Sequence, residues 1–321
     1  MNIDIDIDDI RAAALRLAPW AYKTPVLTSR ALDERCGGQI FLKCENFQRV
    51  GAFKFRGAMN AVLQLSDEAR RLGVVTHSSG NHAQALALAG KLAGVPVCVV
   101  MPRNAPSVKK AATEGYGARI VPCEPTLADR EATVNRLIAE HGYELVHPYD
   151  DWRVIAGQGT AALELLEQAG PLHAVVTPCG GGGLLSGTAI AVKNSSPSTQ
   201  VFGAEPENAS DARRSLESGR IEPSNDPKTI ADGLRTSLGL RDFEVIRTYV
   251  DAIATATEFE ILAAMRLIWE RVKIVIEPSC AVPVAAILNG QINATGKRIG
   301  VILTGGNVDL EPLFAALAAK I

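Results

Sequence analysis

Long apolar runs are missing from this chain: none approaches the ~20 residues that a membrane-crossing helix needs. Charge of one sign is also missing. Thirty-three Lys and Arg against 35 Asp and Glu leave a net charge of −2, with no basic block, which argues against nucleic acid as the main partner. The six cysteines (Cys36, Cys44, Cys98, Cys123, Cys179, Cys280) form no C-x-x-C pair. They read as small buried residues of a reduced, cytosolic protein. The start, Met1–Asp6, is acidic and lacks the basic and apolar regions of a secretory signal, which also points to the cytoplasm. No internal repeat or low-complexity tract is visible.

What is present is enough for a large core: 321 residues, 47% hydrophobic, expected to form two lobes. Apolar strand-like runs alternate with helical patterns, the signature of an α/β fold with largely parallel sheets. Strands are expected at 41–43, 74–77, 97–101, 119–121, 174–177, 201–204 and 298–303. Helices are expected at 10–17, 66–73, 81–93, 106–114, 128–140, from 155, at 184–193 and from 257. The last opens on the capping box Thr257–Glu260. The compact series 69–149 reads as a small domain of its own, with 1–68 and 150–321 making the large one.

The stretch Glu45–Ala58 centres on Lys54, set between Phe53 and Phe55 among small and apolar residues. A buried lysine loses charge readily, and its neutral amine can form a Schiff base with a carbonyl cofactor. The plainer reading is a lysine snorkelling from a helix start. Gly180–Gly183 lies between an apolar strand and the helix opened by Leu184, so its N–H groups can converge on an anion. Dinucleotide binding competes, with Glu205 at ribose distance, but the G-x-G-x-x-G pattern fails because Leu185 stands in the last glycine's place. Ser78–His82 joins a strand to a helix and puts hydroxyls and N–H groups at the strand's carboxyl end, suited to a carboxylate or simply to capping a helix. Glu205 and Asp211 flank a turn, hard oxygen ligands for a divalent cation or an ordinary acidic loop.

Together with Thr304–Asn307, these motifs resemble the fold-type II pyridoxal-phosphate enzymes, in the serine racemase, serine/threonine dehydratase and 3-hydroxyaspartate dehydratase group. The resemblance runs from about Pro25 to Leu310. It implies two α/β lobes, each with a largely parallel twisted sheet flanked by helices, and pyridoxal 5'-phosphate in the cleft between them. It makes Lys54 the Schiff-base lysine, packs Phe53 on the cofactor plane and gives the phosphate to Gly180, Gly181, Gly182, Gly183 and Leu184. Asn81 then meets the ring hydroxyl, Glu277 lies near the ring, and Thr304 faces the pyridine nitrogen. A hydroxyl there leaves the nitrogen unprotonated, a weak electron sink suited to β-elimination. Ser78, Ser79, Asn81 and His82 surround the substrate carboxylate, and Ser79 is the second acid/base opposite Lys54.

The resemblance also assigns Glu205, the Ala209 carbonyl and Asp211 to Mg²⁺, Mn²⁺ or Ca²⁺. Arg130 falls where relatives meet a second, distal carboxylate, with Arg235 another candidate and Thr236 lining the same pocket. Tyr149 stands where mammalian-type racemases have asparagine, which favours the hydroxyaspartate enzymes. The expected activity is dehydration and deamination of 3-hydroxyaspartate to oxaloacetate and ammonia, with serine or threonine as secondary substrates. Racemisation of serine or aspartate through Lys54 and Ser79 is the alternative, and β-replacement and a non-catalytic cofactor carrier rank lower. A homodimer is expected, without a C-terminal regulatory domain. Arg49, Gln84 and Tyr116 fall near positions that some racemases use for an ATP effector.

Overall fold

The computed structural model describes residues 3–105, 107–311 and 313–314. Its described strands, in chain order, are β1 (Val26–Leu27), β2 (Gln39–Cys44), β3 (Val74–His77), β4 (Val97–Pro102), β5 (Arg119–Cys123), β6 (Glu144–Leu145), β7 (Ala174–Pro178), β8 (Gln200–Pro206), β9 (Ala252–Ala256) and β10 (Arg298–Leu303). They form a six-stranded sheet in the order β1-β2-β10-β7-β8-β9 and a four-stranded sheet in the order β5-β4-β3-β6. Every pairing is parallel except β1 on β2. Parallel strands covered by helices on both faces are apolar throughout: β4, β7 and all but the first residue of β10 are buried.

Crossover topology explains why the functional loops gather. Parallel sheets place every strand-to-helix turn at the carboxyl ends of the strands, where ligands of α/β proteins bind. Ser78–Gly80 follows β3, Cys179–Gly182 follows β7, and Thr304–Asn307 follows β10. The helix Lys54–Leu63 packs against both Asn81–Ala93 and Trp152–Ala169, so it ties the two sheets together. Its Phe55, Ala58, Met59, Ala61 and Val62 join Leu86, Val99 and Val154 in one core cluster.

The helix Asn81–Ala93 and the strands β3 and β10 have the residues expected of them, and Gly94 closes its helix in the left-handed conformation. Thr257 and Glu260 form the reciprocal capping box. The helix expected from Pro106 runs Ser107–Gly115, and Pro106 itself lies outside the described residues. The two-residue strands β1 and β6, the edge strand β9 and the helices Arg30–Cys36, Asp211–Ser218, Leu240–Tyr249 and Pro278–Leu288 were not anticipated. Pro278 starts its helix at a position that needs no N–H donor, but Pro283 inside it masks the helical pattern. No described helix is long and apolar enough to cross a membrane.

Candidate active site

Lys54 opens its helix directly beside Thr304, held there by backbone pairing. Val50 and Gly51 both adopt positive φ, 55° and 67°, and turn the chain sharply. Ala52 then bridges Gly305, the Phe53 N–H donates to the Thr304 carbonyl at 2.9 Å, and the Gly306 N–H donates to the Gly51 carbonyl at 2.9 Å. The Lys54 ammonium donates to the Pro148 carbonyl at 2.8 Å and lies 5.1 Å from the centre of the Phe53 ring. Burial pushes its pKa down to about 8, against the opposing pull of Asp242 and Glu277.

The glycine loop sits between β7 and the helix Gly183–Ser195, with Gly182 at φ 105°. The absence of side chains there is required by the neighbours. A Cβ on Gly181 would lie 2.3 Å from the Tyr149 ring, and one on Gly182 would lie 2.5 Å from Asp242 Cβ. A Cβ on Gly180 would meet the Gly233 carbonyl at 2.9 Å and the Thr236 hydroxyl at 3.3 Å. Leu184 is buried at the start of the helix.

Asn81, first residue of its helix, donates from Nδ2 to both Glu277 oxygens at 3.1 Å. Its Oδ1 accepts from Asn307 Nδ2 at 2.9 Å, and Asn307 also donates to the Val50 carbonyl at 2.7 Å. Burial raises the Glu277 pKa to about 7, and the Asn81 amide opposes this. Thr304 is buried, with Cys280 Sγ 3.3 Å from its hydroxyl. His82 is buried, its Nε2 3.4 Å from the Val146 carbonyl and its Nδ1 without a partner, and burial keeps its pKa well below the usual range. Ser78 Oγ accepts from the Gly80 N–H at 3.3 Å. Ser79 is half-buried on the same turn.

Arg130 lies on the helix Leu127–His141 with a shielded Nε that finds no partner, and its charge reaches His77 at the end of β3. Arg235 is engaged elsewhere, its guanidinium on the Thr229 carbonyl. Thr236 borders the glycine loop but is exposed. Arg49 donates to the Trp20 carbonyl and stacks over Tyr22 at 4.5 Å, and Gln84 is buried.

Glu205 and Asp211 are each 1% exposed, with Ala209 buried between them. Glu205 accepts from the Ala212 and Arg213 N–H groups at 3.0 and 2.8 Å, while both Asp211 oxygens lack a partner. Burial raises both pKa values, to about 8 for Glu205, where Asp211 adds to the effect, and to about 6 for Asp211. Among the described residues no cluster of three or more His, Cys, Asp or Glu forms a metal site. A cation here would rest on two carboxylates and carbonyl oxygen.

Asn307, Cys280, His77, His147 and Asp242 were not singled out from the sequence as site residues. Asn307 closes the Thr304–Asn307 motif, and that position is the available signal. The others carry no pattern: His147 is 5.2 Å from His77 and 4.6 Å from Tyr149 between ring centres, a stack that only the fold creates.

The chain matches the family described as pyridoxal-phosphate dependent enzyme over residues 17–305. It is 51% identical to the L-threo-3-hydroxyaspartate ammonia-lyase of Saccharomyces cerevisiae, over 97% of this chain and 96% of that protein. It is equally 51% identical to the beta-hydroxyaspartate dehydratase of Paracoccus denitrificans, over 95% of this chain and 97% of the relative. The crystal structure of serine racemase from Dictyostelium discoideum superposes with a TM-score of 0.91 at 49% identity, covering 95% of this chain and 99% of that one. With the family match spanning nearly the whole chain, this protein belongs to the pyridoxal-phosphate-dependent enzymes.

Proposed function

We propose that this enzyme dehydrates and deaminates 3-hydroxyaspartate, releasing oxaloacetate and ammonia, with serine or threonine as slower substrates. The observation that carries the substrate class is Arg130. A shielded guanidinium nitrogen without a partner, its field reaching the strand end that leads into Ser78 and Ser79, needs an anion, and a second carboxylate supplies one. The two hydroxyaspartate relatives support the same reading.

Pyridoxal phosphate fits the residues present: a depressed lysine, a loop in which a Cβ on Gly180, Gly181 or Gly182 would come within 3 Å of a neighbour, and buried polar groups facing the same crevice. Lys54 would hold it, Gly180–Leu184 its phosphate, Phe53 one face, and Asn81, Glu277 and Thr304 its ring. When bound, it supplies an electron-withdrawing ring that weakens the substrate's Cα–H bond. Ser78 and Asn81 hold the α-carboxylate, and neutral His82 joins them as a donor in the Nδ1–H tautomer, which gives up its 3.4 Å contact with the Val146 carbonyl. Lys54 Nζ removes the α-proton, and Ser79 delivers a proton to the departing β-hydroxyl, so that water leaves. The resulting enamine hydrolyses to the keto acid and ammonia.

Glu205, the Ala209 carbonyl and Asp211 would hold Mg²⁺, Mn²⁺ or Ca²⁺, which the unpartnered Asp211 oxygens invite; its chemistry there is charge neutralisation. We also infer two lobes divided at 69–149, and a homodimer, for which exposed Tyr22 and Phe47 offer apolar surface. A nucleotide effector would have to displace Arg49 from Trp20 and Tyr22.

The racemase reading rests on Ser79, whose half-buried hydroxyl on the substrate turn could return a proton to the opposite face. One experiment separates the readings. Each 3-hydroxyaspartate stereoisomer and both serine enantiomers are incubated with enzyme, with Mg²⁺ and with chelator, and keto acid, ammonia and residual enantiomer are assayed together. Rapid oxaloacetate from one isomer, absent with Lys54→Ala, supports dehydration. Rapid loss of optical purity in serine with little keto acid overturns it in favour of racemisation.

A further inference from the structure

Asp242 has no role in the chemistry above, yet it is a fully buried carboxylate pressed against the glycine loop. It stands in the first turn of the helix Leu240–Tyr249, where backbone N–H groups would ordinarily satisfy an acid. Here they are taken. The Leu240 and Arg241 N–H groups donate to Asp150 at 3.3 and 2.9 Å, and the Gly239 N–H donates to the Gly181 carbonyl at 3.0 Å. Ser186 Oγ donates to the Asp242 backbone carbonyl at 3.3 Å, and neither carboxylate oxygen completes a hydrogen bond. The contacts on both sides are close: a Cβ on Gly182 would lie 3.1 Å from the Asp242 carboxyl carbon, and one on Gly239 would lie 2.6 Å from Oδ2.

The charges around Asp242 favour its neutral form. Burial raises its pKa well above the carboxylate range and Asp150 raises it further, while Ser186, Lys54 and Arg241 pull the other way. Arg241 is itself engaged with Asp150, at 3.3 Å to the carbonyl and 3.6 Å to the carboxylate. The remaining titratable neighbours, Tyr149 and Cys179, are both pushed up in part by Asp242, so neither supplies positive charge. A phosphate settling on Gly180–Gly183 would add negative charge beside a carboxylate whose neighbouring donor, Ser186, is directed to its backbone carbonyl. An ionised Asp242 and a bound phosphate therefore oppose each other; a protonated Asp242 gains the acceptor it lacks.

We propose that phosphate binding at Gly180–Gly183 requires Asp242 to carry a proton, so that cofactor loading is proton-coupled and weakens as pH rises. This rests on the reading that the glycine loop holds the cofactor phosphate.

The test uses enzyme freed of its cofactor and titrated calorimetrically with inorganic phosphate from pH 6.5 to 9, in buffers of different ionisation enthalpy. At a pH above the titration of Asp242 in the free enzyme, located by the same series, the unaltered enzyme takes up close to one proton more per phosphate than Asp242→Asn. Its affinity falls about tenfold per pH unit above the titration, where the variant's stays within about threefold. Repeating both in a Lys54→Met background removes the group titrating in this window that acts on Asp242, while Glu205 and Glu277, which titrate there too, are common to both proteins and cancel in the comparison. Equal proton counts and equal pH slopes overturn the proposal and leave Asp242 as packing. If Asp242→Asn yields no folded protein, an unaltered enzyme whose proton uptake stays near zero and whose phosphate affinity does not fall up to pH 9 overturns it as well. Phosphate that fails to compete with pyridoxal phosphate in either protein overturns the assignment of the loop, and the proposal with it.

Discussion

Arg56 grips Glu45 with two nitrogens, at 2.7 and 2.8 Å, two residues after Lys54 and with both side chains essentially shielded from water. Glu164 accepts from the same guanidinium at 2.7 and 2.8 Å, and the buried Lys43 ammonium meets Glu164 at 2.5 Å and the Thr24 carbonyl at 2.7 Å. This network joins β2, the Lys54 helix and the helix Trp152–Ala169, so it fixes where the lysine emerges.

Breaking one side of that pair leaves a buried charge alone. Glu45→Ala is expected to destabilise the protein by about 3–5 kcal/mol in denaturant unfolding. Arg56→Lys keeps the charge but loses the two-pronged geometry, and should also weaken cofactor retention. Burial works to raise the Glu45 pKa, yet Arg56 holds it below the usual value. Its stabilisation is therefore present above the unfolded pKa and is lost as pH falls through the folded one. Acid unfolding of Glu45→Gln should show a shallower pH dependence below pH ~4.5 than the unaltered enzyme.

Glu205 and Asp211 give the opposite sign. Both folded-state values are raised, to about 8 and about 6, so the folded protein binds more protons than the unfolded chain between the ordinary carboxylate range and those values. Without cation, stability should fall as pH rises through that window. Mg²⁺ or Mn²⁺ should then raise the melting temperature more at pH 8 than at pH 5.5. Asp211→Asn should raise the cation-free value at pH 8 by about 2–4 °C and abolish the cation-induced shift. An equal cation effect in Asp211→Asn would refute the site.

Local chemistry made much of this legible in the sequence. Gly94 ended its helix in a left-handed turn, and the Thr257 capping box formed as its spacing required. The four loops were visible because parallel strands with apolar runs force their turns to one end of a sheet. What stayed hidden depends on partners far along the chain. Asp242 looks like any acidic residue in a first helical turn; only Asp150, about ninety positions away, takes its backbone donors. Arg235 looked as able as Arg130 to meet a carboxylate, until the fold placed it on the Thr229 carbonyl. The edge strand β9, Ala252–Ala256, escaped notice because its two β-branched residues, Ile253 and Thr255, are diluted by three alanines, which are depleted in strands.

The pKa of Lys54, lowered to about 8, is a kinetic prediction for cofactor-free enzyme. The rate of pyridoxal-phosphate capture should rise about tenfold per pH unit below that value, as the neutral amine becomes available, and level off above it. Glu277 helps hold the amine charged, so Glu277→Gln should move the midpoint to lower pH. Absorbance of the bound cofactor followed by stopped flow gives both curves. Identical midpoints would mean that Glu277 acts on the ring and not on the lysine.

Gly181 and Tyr149 provide the sharpest steric test. A Cβ on Gly181 would sit 2.3–2.5 Å from three atoms of the Tyr149 ring, far inside contact distance. The tyrosine is itself braced by His147, whose ring lies edge-on at 4.6 Å and whose Nδ1 accepts from the Asp150 N–H at 2.9 Å, so it cannot simply swing aside. Gly181→Ala should therefore weaken pyridoxal-phosphate binding by about 10-fold or more, equivalent to about 1.4 kcal/mol. Tyr149→Ala removes the obstacle. In a double-mutant cycle read by equilibrium cofactor binding, the pair should lose less than the sum of the single losses, because the two changes share one clash. Additive losses would show that the alanine harms the loop through its own backbone and not through the tyrosine.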